Sequence, residues 1–289
     1  MGQRDSSRCA VRWILSHAEV LTRKQNGERL IIADSSGCMS LRLGGDVAIE
    51  AGGLAWVSAR LDGECGQGDV SAVPVACWTG NPFAFVEPDV PGHGVARTLH
   101  GQVEGIRDHE LRRLVEAFFS DRAFLRAFMS DPASLRHHHA WPGGLAAHTA
   151  EVVDMACRAA SGLRPADRDM VATACLLHDA GKAYEYAGGG RFLSRRGELL
   201  GHEVTLLEML APVTDRIWSA GHPKRLMLLH LLTARPAPRW TGIRHPRSPL
   251  VGILRFADRW SIEHNLFEFV RFTPIKARPA SARHPARTR

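Results

Sequence analysis

No apolar run in this 289-residue chain approaches the roughly 20 residues needed to cross a bilayer. The opening MGQRDSSRCAVRWILSHAEV lacks the apolar stretch and cleavage pattern of a secretory signal. The expectation is a cytoplasmic protein with no membrane partner. Gly2 and Ser6 match the short myristoylation pattern, which is read as chance. C-x-x-C spacing is also missing: Cys9, Cys38, Cys65, Cys77, Cys157 and Cys175 are scattered, several of them in apolar stretches, which argues against a disulfide framework and a zinc ribbon. No internal repeat is visible. Lysine is scarce, with only Lys24, Lys182, Lys224 and Lys276 in an arginine-rich chain.

Acidic residues are absent after Glu268, where Arg271, Lys276, Arg278, Arg283, Arg287 and Arg289 supply six of the net +7 and leave +1 for everything before them. Residues 1–100 hold nine Lys/Arg and eleven Asp/Glu, so by composition the N-terminal part is no trap for phosphates. Bulk charge is therefore weak support for a nucleic-acid partner. With 45% hydrophobic and 23% charged residues the chain has the composition of a folded globular protein, long enough for two domains.

From Trp13 to Cys77 the pattern is that of short antiparallel strands: a Gln25–Gly27 turn, Arg29 to Ala33, a D-S-S-G turn, Cys38 to Leu43, Leu54 to Leu61 and Val70 to Cys77. About five strands with Gly-rich connections suit a small barrel such as an OB-fold, a sandwich being the alternative. Thr79 to His100, with Pro82, Pro88 and Pro91, reads as a linker. From Asp108 the period is helical, with Leu111, Leu114, Val115, Phe118 and Phe119 on one face and further helices at 144–160, 167–177, 202–210, 223–233 and 248–264. The expected class is α+β with two domains: an OB-like β-barrel over 8–92, an all-α domain over 104–272, and a basic, disordered tail over 273–289.

The chemistry concentrates in the helical part. In ACLLHDAGKAYEY, His178 and Asp179 interrupt an apolar helix that should be buried. An unpaired buried carboxylate costs several kcal/mol, so Asp179 needs a cation, and the adjacent imidazole makes a metal the economical answer. Imidazole with carboxylate suits Mn²⁺, Fe²⁺, Co²⁺ or Zn²⁺. His148 in GGLAAHTAEVV, His202 in ELLGHEVTLLEML, His230 in LMLLHLL and Asp258 in LVGILRFADRWSIE lie on segments with apolar faces. Any one such histidine is more often a hydrogen-bonded core residue than a ligand; the set together favours a metal site.

A His, then His-Asp, then a distant Asp, all on helices, resembles the HD superfamily of metal-dependent phosphohydrolases, and the resemblance implies His148, His178, Asp179 and Asp258 as ligands. DPASLRHHHAWPGGLAAHT, LLHDAGKAYEY and GELLGHE look like stretches of the YhaM-type 3′-to-5′ exoribonucleases, which join an OB-fold to an HD domain. HHHAWPGGL is also similar to the TraI-like, HD-related domain of MobH-class relaxases. Where the exonucleases carry consecutive histidines late in the domain, His230 is followed by Leu231.

These resemblances imply a phosphodiesterase on single-stranded nucleic acid, RNA favoured over DNA, working from the 3′ end. Mn²⁺ is the expected metal, with Co²⁺, Mg²⁺, Fe²⁺ or Zn²⁺ as substitutes, and an oligomer is compatible with the chain. A relaxase-like binding module and a small-nucleotide phosphohydrolase are the alternatives. A bound divalent ion would generate hydroxide for in-line attack, and His202 with His230 would supply ligands for a second ion about 3.5 to 4 Å away. Asp179 and Lys182 are expected at the catalytic centre, Lys182 as a point charge for phosphate. His138 and His139, just before the Pro142–Gly144 turn, are placed to touch phosphate or bound water, while His137 is read as loop packing. Glu185 is read as orienting Lys182 or a ligand, or as capping a turn. Trp13, Trp56, Trp78, Phe83 and Phe85 are the aromatics available for base stacking.

Overall fold

The structure is a computed structural model and describes residues 12–23, 30–34, 37–41, 54–61, 70–74, 80–86 and 90–272. Strands β1 (Arg12–Arg23), β2 (Leu30–Asp34), β3 (Gly37–Leu41), β4 (Leu54–Leu61) and β5 (Val70–Pro74) form one antiparallel sheet in the order β3-β2-β1-β4-β5. A register irregularity between Val20 and Thr22 interrupts the β1–β2 ladder. Among the described residues no pairing joins the edge strands β3 and β5. Trp78 and the 273–289 tail lie outside the described residues.

The 79–100 stretch is not a simple linker. Pro82–Phe85 forms a 3₁₀ turn capped by Asn81, and α1 spans His93–Glu104. Phe83 is fully buried and packs against Phe119 and Phe128 at centroid distances of 4.9 and 6.2 Å, so neither it nor the buried Phe85 is free to stack on a base. The reason is composition: the prolines and glycines mask a short run of large apolar side chains that the helical core recruits.

Eight more helices follow among the described residues: α2 (His109–Phe118), α3 (Arg122–Ser130), α4 (Gly144–Ala159), α5 (Pro165–Leu177), α6 (Arg195–Leu199), α7 (Gly201–Ile217), α8 (Pro223–Thr233) and α9 (Pro249–Phe272). A hairpin of two-residue strands, β6 (Tyr186–Ala187) and β7 (Phe192–Leu193), interrupts the helical region. Asp108 and Asp121 cap α2 and α3 by accepting from backbone N–H groups of Leu111 and Phe124. Each such cap is worth about 1 kcal/mol. Helix α5 begins on Pro165, whose fixed φ suits a first turn, and every residue from Asp169 to Leu177 is buried. A helix apolar on all sides belongs at the centre, and α5 packs against α2, α4, α8 and α9.

Two glycines set the site's geometry. A Cβ on Gly144 would collide with the His139 carbonyl, so the histidine-rich turn sits directly on the start of α4. A Cβ on Gly181 would collide with the His202 carbonyl, so glycine lets the turn after α5 run against the α7 backbone.

Candidate metal centre

Three elements converge on one point. Helix α4 carries His148, fully buried; α5 ends at Leu177, and His178 and Asp179 follow at its C-terminal boundary rather than inside it; α9 carries Asp258. Ligand atoms of His148, His178 and Asp258 all lie within 4.8 Å of one another. His148 Nε2 is 3.2 Å from Asp258 Oδ1, 3.4 Å from Asp179 Oδ2 and 3.3 Å from His178 Nε2. His178 Nε2 is 3.6 Å from Asp179 Oδ2 and 3.8 Å from Asp258 Oδ1. Two atoms each about 2.1 Å from one ion stand about 3.0 Å apart at a right angle and about 3.4 Å apart at the tetrahedral angle. His148, His178 and Asp258 therefore have mutual spacing compatible with ligands to a shared cation, and Asp179 stands beside the two histidines.

The histidines are oriented by their other nitrogens. His178 Nδ1 donates to the Cys175 carbonyl at 2.7 Å, leaving the Nε2 lone pair toward the centre. Ser261 Oγ donates to Glu151 Oε2 at 2.7 Å, so at 3.0 Å it accepts from His148 Nδ1, and the His148 Nε2 lone pair is likewise free. His202 Nδ1 stands 3.2 Å from Glu185 Oε2 and its Nε2 is 3.5 Å from Asp179 Oδ1. A hydrogen bond that fixes the tautomer is the usual support of a metal-binding imidazole. Glu151 and Ser261 escape notice in the sequence because glutamate and serine are ordinary helix-surface residues. Their only signal is position, one turn beyond His148 and Asp258 respectively.

The electrostatics call for a positive charge. Burial alone would raise the carboxyl pKa of Asp179, yet Lys182 and the histidines hold it well below the ordinary value. Partial burial would raise the half-buried Asp258 as well, but His148 and His178 pull it down. Burial should lower the His148 pKa, but Asp179 and Asp258 overcome it and push it up; His202 is raised in the same way by Glu185 and Asp179. Protons drawn onto imidazoles by unbalanced carboxylates occupy the electrostatic role of a divalent cation. The donor set thus fits such an ion.

Around this centre, Lys182 Nζ contacts Asp179 Oδ2 at 2.6 Å from the 3₁₀ turn Ala180–Tyr184, not from the α5 face. The His138 ring lies 5.2 Å from that of His148; burial and the nearby His148 push its pKa down to about 4, and its buried Nε2 has no hydrogen-bond partner. His139 is fully buried with φ +47°, its backbone N–H donating to Asn265 Oδ1 and its Nε2 3.2 Å from Glu151 Oε1. His137 is exposed. His230 is placed differently: its Nε2 accepts from the Arg247 backbone N–H at 3.0 Å, so that lone pair is spent on a loop.

The family model described as HD domain matches residues 145–262. Its match runs from the first turn of α4 to just past Ser261 and includes His148, His178, Asp179, His202 and Asp258. No curated protein and no solved structure matches the chain. The HD domain supports a metal-dependent phosphohydrolase, and the His148, His178 and Asp258 cluster is compatible with a divalent metal. No helix among the described residues is long and apolar enough to cross a membrane.

Proposed function

We propose that this chain is a metal-dependent phosphodiesterase that shortens single-stranded nucleic acid, RNA in the first place, from its 3′ end. The observation that carries a phosphohydrolase reading is the convergence of the His148 and His178 Nε2 lone pairs with Asp179 and Asp258 inside the HD domain. The strand-built region before the helices supports the nucleic-acid part, since five antiparallel strands are the complement of an OB-like, partly open barrel.

His148, His178, Asp179 and Asp258 would hold the ion, with His202 as a further ligand on the Asp179 Oδ1 side; mixed imidazole and carboxylate donors suit Mn²⁺, Fe²⁺, Co²⁺ or Zn²⁺, and Mn²⁺ is the one the resemblance implies. Bound there, a divalent ion supplies Lewis acidity, activating water and neutralising charge on phosphoryl oxygens. The chain's own residues do the rest. Ser261 and Glu151 keep the His148 proton on Nδ1. Lys182, beside Asp179, presents a fixed positive charge to a phosphate oxygen. His138 stays neutral at pH 7, so it orients a water or phosphate oxygen by hydrogen bonding without adding charge.

The test is purified full-length protein with Mn²⁺ given end-labelled single-stranded RNA, single-stranded DNA and mononucleotides, beside Asp179→Ala. Stepwise 3′ shortening that disappears in the variant is the expected result. Hydrolysis of mononucleotides alone would redirect the reading to a small-nucleotide phosphohydrolase. No hydrolysis with any substrate or metal would overturn it.

A further inference from the structure

The segment from Arg235 to Arg247, RPAPRWTGIRHPR, connects α8 to α9 and contains four arginines, one histidine and no acidic residue. It is an ordered loop, anchored at both ends. The Arg235 N–H donates to the Arg244 carbonyl at 3.1 Å, the Arg235 guanidinium pairs with Glu203, and the Arg247 N–H donates to His230 Nε2. Between these anchors Thr241 Oγ donates to the Pro238 carbonyl at 2.7 Å and Gly242 takes φ +77°. The loop holds Trp240 86% exposed, the most exposed large hydrophobic side chain among the described residues. Arg244, His245 and Arg247 are exposed as well, and neither Arg244 nor Arg247 pairs with a carboxylate among the described residues.

This loop shares a cleft with the metal centre. A cleft of about 200 Å³ is lined mainly by Val204, Leu206, Leu207 and Leu232, together with His178, Ile243 of the loop, and Glu203, whose charge is paired with Arg235. An apolar floor of this size suits one unstacked base, whereas a duplex would have nothing to insert. Unpaired guanidinium groups attract a polyanion, and an exposed indole costs apolar surface that a stacked base would cover.

We infer that the Arg235–Arg247 loop is the docking surface for single-stranded nucleic acid, with Trp240 stacking on a base, Arg244 and Arg247 meeting backbone phosphates, and the cleft beside His178 receiving the base next to the scissile bond. This inference rests on the nucleic-acid reading above and gives it a location. His230 then has a structural purpose: it pins the loop at Arg247. The loop also places positive charge beside the centre in a protein whose N-terminal hundred residues are net acidic.

The experiment is fluorescence anisotropy of a labelled single-stranded oligoribonucleotide with full-length protein in chelator, where no cleavage occurs. Wild type is compared with Trp240→Ala and with the double variant Arg244→Gln/Arg247→Gln, after thermal melts establish that the variants fold. Trp240→Ala is expected to weaken single-strand binding by about tenfold. The double variant is expected to lower the slope of log affinity against log salt by about 1.4, from roughly 0.7 per phosphate contact. Binding of all variants equal to wild type would overturn the inference. So would equal binding of a duplex or of polyglutamate, which would leave a mere patch of charge. Repeating the assay with Mn²⁺ separates the two claims: cleavage that survives the loop variants unchanged defeats the loop alone, and loop-dependent binding without cleavage defeats the phosphodiesterase alone.

Discussion

The candidate metal centre has two unlike sides. On the α4–α9 side, His148 is fully buried and its Nδ1 is tied through Ser261 to Glu151, which burial would raise but which His139 and Ser261 hold below the ordinary carboxyl pKa. On the α7 side, the His202 side chain is 30% exposed and faces Glu185 and Asp179, next to Lys182. The difference separates holding from acting by chemistry rather than by exposure, since Glu151 and Asp258 are 42% and 37% exposed: an imidazole with its tautomer fixed suits a held ion, and the charged pair of Lys182 with His202 suits an incoming phosphate. Asp179 belongs to both, offering Oδ2 to His148 and Oδ1 to His202.

The largest expected effect comes from the shared residue. Asp179→Ala should drop bound metal well below one equivalent and cut hydrolysis on the order of 1,000-fold, both measurable on one preparation by elemental analysis and product release. Next, His148→Ala should empty the centre, whereas His202→Ala should keep about one equivalent while slowing turnover by roughly 10- to 100-fold. Equal metal loss in the two variants would erase the distinction between the sides. Ser261→Ala should weaken metal affinity by about 10- to 100-fold, read by calorimetric titration of the chelated protein, with turnover largely restored at saturating metal.

The smallest effect is in pH. In metal-free protein Asp179 and Asp258 are depressed, so they contribute stability above their unfolded value near 3.8 that is lost as pH falls through the folded pKa. His148 and His202 are raised, so their contribution is complete below 6.5 and is lost as pH rises through the folded pKa. Asp131, pushed up to about 6 by burial, also loses its contribution as pH climbs from its unfolded value through 6. Chelated protein should therefore melt lower at pH 8 than at pH 6, and added metal should reverse that order, because metal binds neutral imidazole. A flat profile without metal would show that the two sides carry no unbalanced charge.

Legibility followed how unusual a residue is in its surroundings. His178 and Asp179 stood out because polar groups end an otherwise apolar run, and α2 because Leu111, Leu114, Val115 and Phe118 recur at helical spacing. His230 looked the same as His148 from sequence, each a lone histidine on an apolar helix; only tertiary placement gives one a carboxylate pair and the other a loop amide. Ser261 and Glu151 were invisible because their roles depend on the pairing of α4 with α9, more than a hundred residues apart. Helix α1 was hidden by Gly94, Gly101 and the preceding prolines, and is held by Ala96, Leu99 and Val103 in the common core. The arginine loop lies in neither the basic tail nor the acidic first hundred residues, and its concentration of charge gains meaning only because His178 and Ile243 share a cleft.

Gly181 gives this arrangement a mechanical limit. The turn bearing Asp179 and the helix bearing His202 touch backbone to backbone, separated by a hydrogen atom where any other residue would wedge a carbon. The distance between the holding half and the acting half is thus set by the smallest spacer the genetic code offers. A Gly181→Ala change would act like a shim driven into a closed joint, with every side chain of the candidate site still present and the two halves out of step.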